Sequence, residues 1–384
     1  MNSLRIFVWA LLLAVLLIIG RTAFAEEPRL AQKDLVMTRF FQQTNGWSAG
    51  DVAASVPLSD GRILWLFGDS YVNQFDPASG TLPCLFNAHN AVLVQNTNLP
   101  SRPQTLANFN DNDKSFFRVP DAAPGEFRPY FWPNAGFQAG NTIFVFLVEI
   151  QKTPEGGMWG FKPIGQYLAK MTFPELQVTG FVKLPALNGI FFGSGFVKDD
   201  QGGFVYAYGN KQNSIASDVF VARFPVNNTE TEWTFWDGSK WNTNVTNAVV
   251  VAHGASTSVN VCQVKNKFLL VTSEFSVACD QGSAIYVSTS DRPTGPFSER
   301  RNIFNVEDRV NGHRPFFYSA VPHPELVDEK DELLITYCIN GYEPCVPTCV
   351  DGRMNPNYYR PRAIRFSLPV GLFADGTQQK LSAP

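Results

Sequence analysis

One plan returns five times along this chain: a small or polar start, an apolar strand, a polar turn, then a second apolar strand that ends on a polar residue. The second strands are read at 64–69, 143–149, 204–210, 268–274 and 333–338, and a third strand follows each, at 91–95, 165–171, 218–224, 284–289 and 363–367. Starting points recur at intervals of about 60 to 80 residues, a spacing that belongs to repeat architectures. Three or four strands per unit, five units and closure predict an all-β, five-bladed β-propeller. Turn chemistry such as Ser59-Asp60-Gly61 and Lys265-Asn266-Lys267 punctuates the runs, with 29 Gly, 26 Pro and 33 Phe in 384 residues, and no long window carries helical periodicity. Two sandwich domains are the competing architecture, but no change in composition divides the chain.

The ends are read separately. Residues 1–5 are a short basic start, 6–20 an unbroken apolar run, and Ala23-Phe24-Ala25 a small-x-small cleavage site. That order predicts a secretory signal peptide over 1–25, with an uncleaved anchor as the alternative, since the run is short of the roughly 20 residues a span needs. The remaining boundaries are an N-terminal extension at 26–45, one propeller domain at 46–370 and a tail at 371–384. The mature product is expected to be exported to the extracellular space, monomeric and free of the membrane. Loss of Arg5 and Arg21 takes the formal charge from −3 to −5, which leaves no basic face for nucleic acid.

All six cysteines follow the cleavage site, an even count that suggests disulfides in an exported chain. Cys262 and Cys279 lie on one predicted hairpin and are expected to pair, while Cys345 or Cys349 is placed to meet Cys338. No C-x-x-C spacing suggests zinc. Asn227-Asn228-Thr229 and Asn244-Val245-Thr246 are glycosylation sequons.

The hairpin from Trp47 to Tyr71 carries the chemistry. Pairing about Asp60-Gly61 returns the chain and brings Asp51 and Asp69 to one edge of the sheet. Other blades are read as sending Asn134 and Glu149, Asn210, Ser256 and Glu274, and His323 with Glu325 to the same end. Trp47, Tyr71, Phe131, Trp132, Phe191, Phe192, Phe275 and Arg314 accompany them. Flat aromatic faces suit sugar rings, and two carboxylates are what glycoside hydrolysis requires. The expected catalytic pair is Asp51, ionised, and Asp69, the proton donor. Trp47, Tyr71, Trp132, Asn134, Glu149, Glu274, His323 and Glu325 are the expected substrate contacts. His89 and His253 have no evident partner and read as structural. No Gly-x-Ser-x-Gly elbow supports serine hydrolysis.

The run Gly-Trp-Ser-x-Gly-Asp through Ser-Val-Pro-Leu-x-Asp-Gly-Arg-x-Leu-Trp-Leu-Phe-Gly-Asp-Ser-Tyr resembles the opening blade of a family of secreted five-bladed propellers long described as domains of unknown function. Some members are similar to endo-acting D-arabinanases, and the wider group to arabinanase, xylosidase and invertase-type glycosidases. His323-Pro324-Glu325-Leu326 through Tyr337 resembles that family's last blade. The resemblance implies Asp51 and Asp69 as catalytic acids and an arabinan-like polysaccharide as substrate. The wider group spreads three carboxylates over three blades, whereas here the third ends in Asn210, which leaves either the Asp51/Asp69 pair or a set using Glu149 or Glu274. The alternative function is a non-catalytic carbohydrate-binding or protein-interaction propeller. No cofactor is expected, structural calcium being the one exception considered.

Overall fold

The computed structural model describes residues 30–96, 102–157, 159–199, 201–341 and 345–368. The expected signal peptide and the tail from 371 lie outside them. The fold is all-β. Its strands group into five antiparallel sheets of at least four strands and one small three-stranded sheet. The first sheet runs Trp47–Pro57, Ile63–Val72, Ala91–Gln95, Gln104–Leu106; the second Tyr130–Ala139, Thr142–Lys152, Phe161–Thr172, Val178–Lys183. The third starts with Phe191–Asp199, Phe204–Asn213 and Ala216–Pro225; the fourth runs Val259–Val264, Lys267–Ser273, Ala284–Ser290, Arg301–Asn305. The fifth is Phe316–His323, Glu332–Asn340, Arg362–Ser367 and, from the far end of the chain, Ala31–Lys33. The leading strand of each sheet touches that of the next, and the fifth touches the first.

Strands apolar on both faces explain this stacking. In the first sheet Leu64 and Leu66 join a core cluster with Ile143, Val145 and Leu147 of the second. The alternate residues Ile63, Trp65 and Phe67 pack instead with Leu334 and Ala363 of the fifth sheet, and with Met37 of a short helix, Leu35–Phe40. In the second sheet Phe144 and Phe146 face Val205 and Ala207 of the third, and Tyr208 of the third joins Val261 and Leu270 of the fourth. Each second strand is therefore a spacer between two neighbours, which is why it reads as a continuous apolar run. Each large side chain so buried contributes on the order of 1.5–3 kcal/mol.

The leading strands are less regular. Register shifts interrupt them between Gly50 and Ala54, Pro133 and Gly136, Phe192 and Phe196, and Tyr318 and Val321. At the first, Val52 and Ala53 hold left-handed backbone, φ 73° and 55°; at the last, Ser319 does so at φ 51°. A β-branched residue at such φ is strained, at on the order of 1–3 kcal/mol. The bulges re-aim the side chains on either side of them.

Two expectations are corrected. The disulfides are Cys84–Cys349 and Cys279–Cys345, and Cys262 and Cys338 are free thiols in the core. Cys262 sits on a strand opposite Leu269, whereas Cys279 lies in the loop after the partner strand and is bonded to Cys345. Beyond the third strand of the first sheet, Gln104–Leu106 completes that sheet, and Phe117 is fully buried.

Candidate functional site

The bulge in Trp47–Pro57 falls where two acids meet. Gly50 pairs with Ser70 and Val52 with Phe67, so Asp51 faces Gly68 and Asp69 on the returning strand. A Cβ on Gly68 would collide with Asp51 Oδ1, so only glycine leaves room for the carboxyl. Asp51 Oδ2 accepts hydrogen bonds from Tyr318 Oη at 2.9 Å and Tyr359 Oη at 3.0 Å. Burial, and after it the charge of Asp69, push the Asp51 pKa up to about 7, against the lowering effect of the two phenols.

Asp69 is held differently. Its Oδ1 accepts from His89 Nδ1 at 2.9 Å and from Trp132 Nε1 at 3.0 Å. Donors converging on one oxygen suit an ionised carboxylate. Burial therefore disposes Asp51, expected to be ionised, to hold a proton near neutrality, while Asp69 is the acid that two nitrogen donors hold. His89, read as structural, is part of the site. Its position was legible in the register, since Phe67 opposite Ala91 and Ser70 opposite Ala88 set His89 opposite Asp69.

Aromatic rings link the two acids. From Trp132 the path runs to Phe161 at 4.7 Å, Trp159 at 6.5 Å, Phe316 at 6.2 Å and Tyr318 at 5.5 Å between centroids. Its two end residues donate to Asp69 and Asp51. Trp159, on the turn joining Thr142–Lys152 to Phe161–Thr172, is 51% exposed and spans from the second sheet to the fifth. Tyr130 stacks on His89 at 3.6 Å and extends the wall.

Of the residues expected at this site, Asp51, Asp69 and Trp132 come together; the others do not. Trp47 is fully buried, stacked on Phe67, and offers a ligand no face. Tyr71 is also buried, with its hydroxyl on Cys84 O and Met354 Sδ. Glu149 shares the face of Phe131 rather than that of Trp132 and pairs with Lys183 at 3.4 Å. Glu274 ties down a turn by accepting from Ser283 N and Ala284 N. Asn134 lies against Gly193 and lines a cavity of about 140 Å³ between the leading strands.

His323 and Glu325 sit at the wrong end. The leading strand of the fifth sheet is Phe316–His323, so its start delivers Tyr318 to the acids and its finish carries His323 away. His323 is wholly buried between Ser55 Oγ, 2.6 Å from Nδ1, and Thr336 Oγ1, 2.9 Å from Nε2. Burial, then Arg365, pushes its pKa down to about 3, so the 4.0 Å approach of Glu325 is not an ion pair. Glu325, its pKa raised by burial, lines a cavity of about 660 Å³ with Pro57 and Lys198. This larger cavity lies at the opposite end of the leading strands from Asp51. Among the described residues no cluster of three or more His, Cys, Asp or Glu is placed to hold a metal ion.

The fold defines a class: all-β chains of stacked antiparallel sheets whose leading strands touch in turn. Within it the chain belongs to the family described as Domain of unknown function (DUF5005), which matches residues 34–368. No curated protein sequence matches the chain. A structure from Bacteroides ovatus ATCC 8483, described only as a candidate hydrolase, is similar in fold: 18% identity, TM-score 0.67, covering 87% of this chain and 89% of that one. An exo-β-1,3-galactanase from Phanerochaete chrysosporium aligns at 11% identity and TM-score 0.46, covering 84% of this chain and 61% of that one. A thermostable family-43 glycoside hydrolase aligns at 14% identity and TM-score 0.43, covering 85% and 94%. The first likeness is one of fold, and the other two are looser.

Proposed function

We propose that the five sheets are the blades of a propeller and that the protein is a secreted glycoside hydrolase acting on a polysaccharide. The observation that carries this reading is the division of labour between two adjacent acids. Asp51 keeps a proton to about pH 7, while Asp69 is held by two donors. Such a split between neighbouring carboxyl groups assigns acid and base. Asp51 gives its proton to the leaving glycosidic oxygen. Asp69, with Oδ1 fixed by His89 and Trp132, uses Oδ2 to activate water or to attack the anomeric carbon. The rings from Trp132 to Tyr318 offer faces on which sugars stack. The two disulfides support export. An arabinan-like substrate rests on the resemblance of the opening hairpin.

The test is product release from arabinan, arabinogalactan and fructan panels by the wild type, Asp51→Asn and Asp69→Asn. Loss of either acid is expected to lower kcat by roughly 10²–10⁴. Wild-type activity is expected to fall as pH rises through about 7, where Asp51 gives up its proton. Equal product from Asp69→Asn removes Asp69 from the mechanism. Retention of a polysaccharide by all three proteins with no product from any makes this a binding module instead.

A further inference from the structure

The connection from Glu332–Asn340 to Arg362–Ser367 leaves the fifth sheet and is tied down far from it. Cys345 is bonded to Cys279, and Cys349 to Cys84 in the connection between the second and third strands of the first sheet. Arg353–Met354 pairs with Leu82–Pro83. Gly50 N donates to Tyr359 O at 2.9 Å. Arg360, 6% exposed, donates to Ser48 O, Gln43 O and Asn357 Oδ1. A surface connection needs none of this. The bonds of Gly50 and Arg360 fix the backbone on either side of one phenol, that of Tyr359.

That phenol and Tyr318 both donate to Oδ2 of Asp51. Burial holds each tyrosine well above its ordinary pKa, so both keep their protons throughout the working range. With two donors on Oδ2, a third hydrogen there is excluded, and the acid's own proton belongs on Oδ1. We propose that Tyr359 is a positioning residue that, with Tyr318, pins Oδ2 and thereby assigns the transferable proton of Asp51 to Oδ1. The catalytic meaning of this rests on Asp51 as proton donor; the arrangement itself does not. Other titratable groups facing Asp51 are Asp69 on the paired strand and Cys338 on the second strand of the fifth sheet. Burial keeps the Cys338 thiol neutral, so Asp69, with His89 behind it, is the charge that Asp51 feels.

Both phenols stabilise the ionised form, so removal of either raises the Asp51 midpoint. The experiment is a pH titration of aspartate Cγ resonances by ¹³C NMR, with Asp51 assigned by its absence in Asp51→Asn. Tyr359→Phe is expected to move the midpoint up by about one pH unit, a tenfold gain in proton affinity. Tyr318→Phe, on the leading strand of the fifth sheet, is expected to do the same, and it carries the test if Tyr359→Phe does not fold. Midpoints unchanged or lowered in the folded variants overturn the proposal, because a phenol that only fills space leaves the titration alone. The readout needs no substrate. Full activity of Asp51→Asn would instead sink the proton-donor reading and leave the titration standing.

Discussion

Asp51→Asn is expected to make the protein more stable at alkaline pH and no more stable in acid. The folded pKa is raised from 3.8 to about 7. Between those values the native state holds a proton that the unfolded chain has released. Stability therefore falls as pH rises through this window, and the full penalty stands above about pH 7. At about 1.4 kcal/mol per pH unit, a displacement of roughly three units amounts to about 4 kcal/mol. Part of Asp51 is open to water, which makes this an upper bound. Asparagine presents an oxygen to Tyr318 and Tyr359 with no charge to desolvate, so it escapes the penalty. Urea denaturation from pH 4 to 9, with disulfides intact, measures the difference between wild type and variant. It should be near zero at pH 4 and grow to about 2–4 kcal/mol at pH 8–9. Parallel curves across the range would refute the reasoning, since they would mean that Asp51 titrates alike in both states. Asp69→Asn separates the causes. It removes the second cause and leaves the first, so the Asp51 midpoint should fall while staying above the ordinary carboxylate range.

Two further outcomes are expected. His323, pushed down to about 3, refuses a proton that the unfolded chain takes up near 6.5, so stability is lost as pH falls from about 6.5 toward 3, by up to roughly 5 kcal/mol; in His323→Gln this acid limb should flatten in the same urea series, whatever the loss at pH 7. Trp159→Ala, at an exposed turn, should leave the urea midpoint within about 0.5 kcal/mol of wild type while raising KM on any substrate found by roughly tenfold with kcat little changed; an unchanged KM would remove Trp159 from the wall of the cleft.

What the sequence shows most clearly is what two neighbours bury. The stretches 64–69, 143–149, 204–210, 268–274 and 333–338 coincide with observed strands, Glu274 alone lying one residue past the end of Lys267–Ser273, because a strand apolar on both faces stands out from its turns. Leading strands are harder to read, because bulges at Val52-Ala53 and Ser319 break their alternation. The miss at the fifth sheet follows directly. With the start of its leading strand unmarked in the sequence, His323 and Glu325 read as lying beside the acids, and Tyr318 has no place there. Outer strands such as Gln104–Leu106 are short and half-polar and leave little trace. Tyr359 had no local signature at all, since it reaches Asp51 across 308 residues through anchors that no spacing reveals. The disulfides failed for the same reason, with Cys84 and Cys349 separated by 265 residues.

Asp237 shows by contrast why Asp51 is not simply part of the scaffold. It accepts from the backbone of Lys240 and Ser239 in a turn, and those donors push its pKa down to about 2. An acid of that kind is fastened by its charge, and the turn is firmer for it. Asp51 stands the other way round. Its carboxyl is buried beside a second carboxyl, and its pKa moves up rather than down. The backbone next to it holds two left-handed non-glycine residues in succession. Each feature works against folding above neutrality, and Asn would satisfy the same two tyrosines without the desolvated charge. What Asp offers there and Asn does not is a removable proton, which is what the proposed hydrolase asks of this position, and on that reading the strain and the burial at the bulge serve proton transfer.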